Sequence, residues 1–328
     1  MSGELTRHGG RLDAARARFG GREQAWIDLS TGINPVPWPD AAACAADWAT
    51  LPSPAALKAL EEQAARYFGV DADHVCALPG SETGLRLLPQ ILPLPGVHIG
   101  PTYRTHSEIF PASRSCEADA ALATPPGAIL IANPNNPDGR IRSATKMRGL
   151  LARLEQQEGW LIVDEAFADT DPAISLATDI GTGRRLIIFR SFGKFFGLAG
   201  LRLGFVLAPP RIVRSYRALL GDWPLNAAAL SIGTAAYTDG EWIERTRRQL
   251  PASAARLDDL LNKHGLTPIG ACPLFRLIET GRASALFEGL ARHAILTRPF
   301  DYAANWLRIG LPGDEAAWRR LDAALADG

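Results

Sequence analysis

Ser191-Phe192-Gly193-Lys194-Phe195-Phe196-Gly197-Leu198-Ala199-Gly200-Leu201-Arg202-Leu203-Gly204-Phe205 is the stretch that decides the fold of this chain. The apolar run before it, Leu186-Ile187-Ile188-Phe189, has the continuity of a parallel strand buried on both faces. A second run, Leu203-Gly204-Phe205-Val206-Leu207-Ala208, follows. A single lysine therefore stands on a glycine-rich turn between two core strands, with a hydroxyl three residues before it and an arginine eight after it. A lysine amine that attacks carbonyls must be neutral and rigidly held, and apolar surroundings favour the neutral form. Phe192, Phe195 and Phe196 can supply that wall. Ser191 and Arg202 can bind a phosphate, one by its hydroxyl and the other by a bidentate guanidinium. On these residues alone a solvated turn lysine, with glycines that only shape the turn, fits equally well.

Composition narrows the class. A chain of 328 residues is long enough for two lobes and a large core. Lys plus Arg (35) balance Asp plus Glu (35), which gives no electrostatic reason to expect nucleic acid or an anionic membrane as partner. The start, Met1-Ser2-Gly3-Glu4, has no basic stretch leading into an apolar core, and no apolar run is long enough to span a bilayer. The four cysteines, Cys44, Cys76, Cys116 and Cys272, are scattered, which suits free thiols in a reducing cytoplasm and argues against a zinc site. No metal is expected.

Other segments offer chemistry with a plainer alternative beside each. His8-Gly9-Gly10 and Leu29-Ser30-Thr31-Gly32-Ile33-Asn34-Pro35 form an arm that Pro35, Pro37 and Pro39 keep extended. That arm either clamps two lobes or brings the Gly32 and Ile33 backbone to a ligand. Ser53-Pro54 opens a helix striped by Leu57, Leu60, Ala64 and Tyr67 or Phe68 and stopped by Gly69. Pro79-Gly80-Ser81-Glu82-Thr83-Gly84 runs a glycine turn into a helix start, which presents N–H groups to an anion or is an ordinary cap with an acid in its first turn. Strands are expected at Gly96–Gly100, followed by Pro101-Thr102-Tyr103, and at Ala128–Ala132, followed by the turn-rich Asn133–Gly139. A helix over Ala144–Gln157 leads to Trp160-Leu161-Ile162-Val163-Asp164-Glu165-Ala166-Phe167. An acid at the C-terminal end of a parallel strand lies where α/β sheets bind ligands; Asp164 is otherwise a cap. Helices are expected at Asn226–Thr238, Trp242–His264, Ala283–His293 and Gly313–Leu325, and strands at Leu274–Glu279 and Trp306–Ile309. Arg308 interrupts the last strand, either as an edge residue in water or as an anion ligand.

The pattern S-x-x-K-x-x-G-x-x-G-x-R-x-G from Ser191 to Gly204 resembles the lysine loop of pyridoxal-phosphate enzymes of the aspartate aminotransferase fold. The resemblance implies an α/β fold of type I, with a doubly wound large domain and a smaller α/β lobe. It divides the chain into an arm (1–40) joining the small lobe, a large cofactor domain (41–225) and a small C-terminal domain (226–328). It also implies pyridoxal 5′-phosphate on Lys194, with Gly80, Ser81, Glu82, Ser191 and Arg202 around its phosphate and Tyr103 flat on its ring. Asn136 then donates to its 3-oxygen, and Asp164 keeps the pyridine nitrogen protonated. Arg308 forks the substrate carboxylate; apart from the resemblance, Arg298, after Ile295-Leu296-Thr297 and nearby in sequence, is a further basic candidate for a second anion contact. The tyrosine that relatives carry before the proline of the first helix, reaching the other subunit's cofactor phosphate, is Leu51 here. Sites of this kind are built between two subunits, so a homodimer is expected.

The opening His8-Gly9-Gly10, the LSTGINP segment and the D-E-A-F form of residues 164–167 resemble the threonine-phosphate decarboxylases of cobalamin (vitamin B12) biosynthesis. That resemblance implies decarboxylation of O-phospho-L-threonine, a small phosphorylated amino acid, with His8, Gly32, Ile33 and Asn136 on the substrate and Lys194, Asp164 and Tyr103 in the chemistry. A histidinol-phosphate aminotransferase is the alternative enzyme, although many aminotransferases carry a tyrosine where this chain has Phe167. A non-catalytic binding protein of the cobalamin pathway is the alternative of another class.

Overall fold

The computed structural model describes residues 3–22, 25–110, 113–117 and 127–327. Met1 and Ser2, on which the reading of the chain start partly rests, lie outside them. In chain order the strands are β1 (Ile27–Asp28), β2 (Val75–Leu78), β3 (Gly96–Ile99), β4 (Arg114–Cys116), β5 (Ala128–Ala132), β6 (Trp160–Asp164), β7 (Leu186–Ser191), β8 (Gly204–Leu207), β9 (Pro268–Ile269), β10 (Phe275–Glu279), β11 (Ile295–Leu296), β12 (Arg298–Pro299) and β13 (Trp306–Gly310).

The chain packs as two units. The larger comprises Pro37–Asn136 and Arg140–Arg245. Its sheet has the order β2-β8-β7-β6-β5-β3-β4, parallel throughout except for β8, which runs antiparallel to both neighbours. β5 (AILIA) and β6 (WLIVD) are buried at every position, as strands covered on both faces must be. Leu85 and Leu88 of the helix Ser81–Ile91 and Ile212, Val213 and Tyr216 of the helix Pro210–Leu220 cover the sheet, and the Tyr216 hydroxyl donates to the Gly84 carbonyl at 2.9 Å. The helix Pro54–Phe68 begins where the sequence places it: the Ser53 side chain accepts from the Ala56 N–H, and Gly69 ends it at φ 71°.

The smaller unit comprises Met1–Val36, Pro137–Gly139 and Thr246–Gly328. Its antiparallel sheet has the order β12-β13-β10-β9, and β1 pairs in parallel with β11. The expected boundary at 225/226 falls inside the larger unit. The helix Ala227–Thr238 packs there against the helix Pro54–Phe68, and Leu60 of that helix lies close against Gly233. The helix Gly240–Lys263 gives its first turns to the larger unit and the rest to the smaller. Glu315–Ala326 starts two residues later than its pattern suggests, because Asp314 caps it by accepting from the Ala317 N–H.

Candidate active site

Asp164 closes β6 and is buried. Its Oδ2 lies 3.0 Å from His106 Nε2, and its Oδ1 accepts from the Ala166 N–H at 3.1 Å. His106 is itself fully buried, and its Nδ1 meets the Thr102 hydroxyl at 2.9 Å, so the ring is fixed at both nitrogens. The edge of Tyr103 stands against His106, with centroids 5.7 Å apart at 89°. Burial, then the charge of Glu82, pushes the Tyr103 hydroxyl up to about 12, so it keeps its proton at neutral pH. The loop after β5 is laced to the same end of the sheet. The Asn133 N–H donates to the Asp164 carbonyl at 2.9 Å, and the Asn133 side chain both donates to and accepts from the Arg142 backbone. Asn135 Nδ2 donates to the Pro101 carbonyl at 2.8 Å. These two asparagines brace the loop that carries the half-buried Asn136.

Sheet register assembles a second cluster. Leu78 of β2 and Ser191 of β7 both pair with Gly204 of β8. Because β8 is antiparallel to both, the residues leaving β2, leaving β7 and entering β8 share one edge. Gly80 and Ser81, Ser191 and Arg202 therefore meet there. Gly80 takes φ 87°, and a Cβ on it would lie 2.7 Å from Arg202 Nη2. Arg202 takes φ 55°, rare for a side-chain-bearing residue, and its Nη1 donates to the Ala199 carbonyl at 3.1 Å. Ser81 opens an eleven-residue helix whose first N–H groups have no intrahelical acceptor. Glu82 fits this cluster only through its backbone. Its carboxylate accepts from Arg86 Nε and from the Thr105 hydroxyl, each at 2.9 Å, and a carboxylate repels an anion.

Lys194 stands in the short helix Phe192–Phe195 that follows β7. The ring facing its Nζ belongs to Phe167, 5.8 Å away. Phe192, Phe195 and Phe196 are the rings expected to wall the amine. All three are fully buried in an aromatic core, where Phe196 stacks on Phe192 (4.4 Å) and on Trp242 (5.4 Å), and Tyr237 meets both phenylalanines edge-on. That core anchors the loop from behind. Arg190, one residue before Ser191, is buried with Glu165, one residue after Asp164: its Nη1 donates to Glu165 Oε2 at 2.8 Å, and its Nη2 reaches Asp169. Burial raises the Glu165 carboxyl above its usual range, while the Arg190 charge opposes the rise.

In the smaller unit Arg308 is not an edge residue facing water. It is buried, its Cζ lies 4.8 Å over the Phe275 ring, and its Nη2 donates to the Ser30 carbonyl at 2.8 Å. Burial first, then the charge of Arg298, lowers it to about 10. Ser30 is the meeting point of the arm. Asp28 Oδ1 accepts from its N–H and its hydroxyl, and its hydroxyl oxygen accepts from the Gly10 N–H at 2.7 Å. A Cβ on Gly9 would run into the Ser30 carbonyl, so His8-Gly9-Gly10 requires glycine to lie against it. The half-buried His8, the buried Gly32 and the half-buried Ile33 flank this knot in sequence. Arg298 is buried too, with both Nη atoms directed at carbonyls of Leu5 and Arg7.

The sequence pattern of the aminotransferase class I and II family matches residues 24–325. The chain belongs to that family. It is 40% identical over 327 residues to a threonine-phosphate decarboxylase of Sinorhizobium sp, covering 97% of each chain. A Pseudomonas aeruginosa protein of the same name is 39% identical, with 98% and 97% covered. A histidinol-phosphate aminotransferase of Granulibacter bethesdensis is 30% identical over 73% of this chain and 71% of its own. The crystal structure of a Sinorhizobium meliloti histidinol-phosphate aminotransferase in complex with pyridoxal-5′-phosphate shares the fold, at a TM-score of 0.82 and 20% identity over 96% and 93% of the two chains. The fold class expected from the lysine loop, and the resemblance to the decarboxylase family, both hold.

As a member of this family the chain has a donor set that fits pyridoxal 5′-phosphate. The missing Cβ of Gly80 lets the Arg202 guanidinium close on the turn that opens the helix Ser81–Ile91, and a guanidinium beside a helix start suits a phosphate. Asp164, buried and already served by two donors on its flanks, suits a protonated ring nitrogen. The motifs left His106 unnoticed. Its helix, His106–Ile109, begins only at that residue, and Thr102 precedes it in non-helical chain, so no helical spacing ties the two in the sequence. Among the described residues no three His, Cys, Asp or Glu could hold a metal, and no helix is long and apolar enough to cross a membrane.

Proposed function

We propose that this chain decarboxylates O-phospho-L-threonine to (R)-1-aminopropan-2-yl phosphate and carbon dioxide with pyridoxal 5′-phosphate as cofactor, supplying the aminopropanol linker of cobalamin. The observation that carries the proposal is the 40% and 39% identity, over nearly the whole chain, to two proteins named threonine-phosphate decarboxylase. The Phe167 ring at Lys194, where many aminotransferases carry tyrosine, agrees with it.

Lys194 would carry the cofactor, and Ser81, Ser191, Arg202 and the N–H groups from Gly80 to Glu82 would hold its phosphate. Tyr103 would stack on the cofactor ring and Asn136 would donate to its 3-oxygen. Asp164, fixed by His106 and the Ala166 N–H, holds the ring nitrogen protonated. What the cofactor supplies when bound is an acceptor for the electron pair left as a bond to the substrate α-carbon breaks. Arg308, preset by the Ser30 carbonyl and the Phe275 ring, takes the substrate carboxylate in a two-point fork. Asn136, His8 and the Gly32–Ile33 backbone border the substrate. Lys194 Nζ returns one proton to the α-carbon after carbon dioxide leaves.

The working form is a homodimer in the cytoplasm. Support for the dimer comes from Trp48 and Leu51, 76% and 68% exposed on the larger unit; support for the compartment comes from four free cysteines. The test is to load the purified protein with cofactor and offer O-phospho-L-threonine in one tube, and histidinol phosphate with 2-oxoglutarate in another. Carbon dioxide in the first, with no oxo-acid needed, is the expected result. Glutamate in the second alone makes the protein an aminotransferase, and silence in both discards both substrates.

A further inference from the structure

Arg298 and Arg308 face each other across β12 and β13, 7% and 5% exposed. Like charges directly opposite in a sheet repel, so their acceptors decide what each does. Arg308 has its Nη2 on the Ser30 carbonyl. Arg298 reaches elsewhere: its Nη2 donates to the Arg7 carbonyl at 2.6 Å, its Nη1 to the Leu5 carbonyl at 3.4 Å, and its Cζ lies 5.2 Å over the Phe300 ring. Those carbonyls end the helix Gly3–Arg7, the end of a helix whose carbonyls lack intrahelical donors. The same helix buries Leu5 and Thr6. Immediately after it, Gly9 lies on the Ser30 carbonyl and the Gly10 N–H bonds the Ser30 hydroxyl.

We propose that Arg298 is a positioning residue: it fastens the N-terminal arm, residues 3–10, to the small sheet, and so holds Gly9 and Gly10 against Ser30, the residue that also orients Arg308. Two neighbouring guanidiniums thus grip two successive pieces of one arm, each by main-chain carbonyls. Docking of the arm and binding of an anion at Arg308 then support each other, and by linkage the support is reciprocal. The proposal rests on the reading above only in taking that anion to be the substrate. It replaces the role of second anion contact for Arg298.

The test uses the full-length, cofactor-loaded protein. Trypsin cleavage after Arg7 and Arg11 is timed by mass spectrometry with and without O-phospho-L-threonine, and KM and kcat are measured in parallel. In the parent the arm is cut slowly, and more slowly still with substrate. Arg298→Met loses charge-assisted bonds to two carbonyls, so cleavage of the arm rises about tenfold or more and KM rises with it, while kcat changes little. Arg298→Lys keeps the charge but not the fork and falls between; it also serves if the methionine variant does not fold. Unchanged arm cleavage in both variants overturns the proposal. So does a raised KM with an unchanged arm, which makes Arg298 a direct substrate contact. Cleavage without substrate reads the fastening whatever the substrate proves to be, so failure to turn over O-phospho-L-threonine strikes the functional reading and not this one.

Discussion

Replacing Arg190 with methionine removes the positive charge that Glu165 and Asp169 share beneath the lysine loop. Arg190 donates to Glu165 Oε2 at 2.8 Å and to Asp169, with its guanidinium carbon 4.7 Å over the Phe68 ring. Both carboxylates are buried as deeply as the arginine. Glu165 also accepts from the Ser175 hydroxyl at 2.6 Å and the Leu176 N–H at 2.8 Å, which soften the loss without supplying a charge. Breaking a buried pair from one side costs about 3–5 kcal/mol. The cost has a pH sign. Burial raises the folded Glu165 carboxyl above 4.5, so the folded state prefers it protonated, and the Arg190 charge opposes that. Without Arg190 the folded value rises further. The deficit is therefore smallest near pH 4.5, where the carboxyl carries its proton, and grows as the pH climbs through the raised folded value. Urea unfolding of the cofactor-free protein at about pH 5 and about pH 8 reads it, and Glu165→Gln in the same background should recover part of the loss at the higher pH. A deficit below about 1 kcal/mol at the higher pH, or one that grows on acidification, refutes the reasoning.

Four other outcomes follow from the site. Lys194→Ala abolishes turnover and the cofactor's visible absorbance at the lysine while leaving the circular dichroism of the fold unchanged; near-parental rates end the mechanism. Arg308→Leu weakens substrate binding by about 2–5 kcal/mol, roughly 30-fold or more in KM, with a smaller effect on kcat. An unchanged KM removes its role. His106→Leu leaves a buried oxygen of Asp164 without its donor and costs about 1.5–3 kcal/mol, read as weaker cofactor binding by equilibrium dialysis, whereas His106→Gln keeps part of the bond. Gly80→Ala puts a methyl 2.7 Å from Arg202 Nη2 at φ 87°, and the strain of about 1–3 kcal/mol appears as a higher cofactor dissociation constant; equal affinity argues against a phosphate at this turn.

Much of the fold was legible because its signals are local. Continuous apolar runs marked β5, β6 and β7, and Ser53 and Gly69 marked both ends of one helix. Register was not local. That Gly80, Ser191 and Arg202 converge follows from the antiparallel insertion of β8 between β2 and β7, which no single segment announces. The packing of the loop's three phenylalanines is not local either: they join an aromatic core with Tyr237 and Trp242, and Phe167, three residues beyond β6, brings its ring to Lys194. His106 escaped notice because its partner lies 58 residues away. Arg308 was visible as a charge in an apolar strand, while the carbonyls that fix Arg298 and Arg308 are main-chain atoms to which sequence patterns are blind.

The central claim is which bond at the α-carbon breaks, and carboxyl-labelled O-phospho-L-threonine tests it most directly. Followed by carbon-13 NMR with the cofactor-loaded protein and no oxo-acid, the account predicts that all label consumed appears as carbon dioxide and bicarbonate, matched one for one by unlabelled 1-aminopropan-2-yl phosphate. Label retained in an oxo-acid product, formed only when an amino acceptor is added, contradicts it.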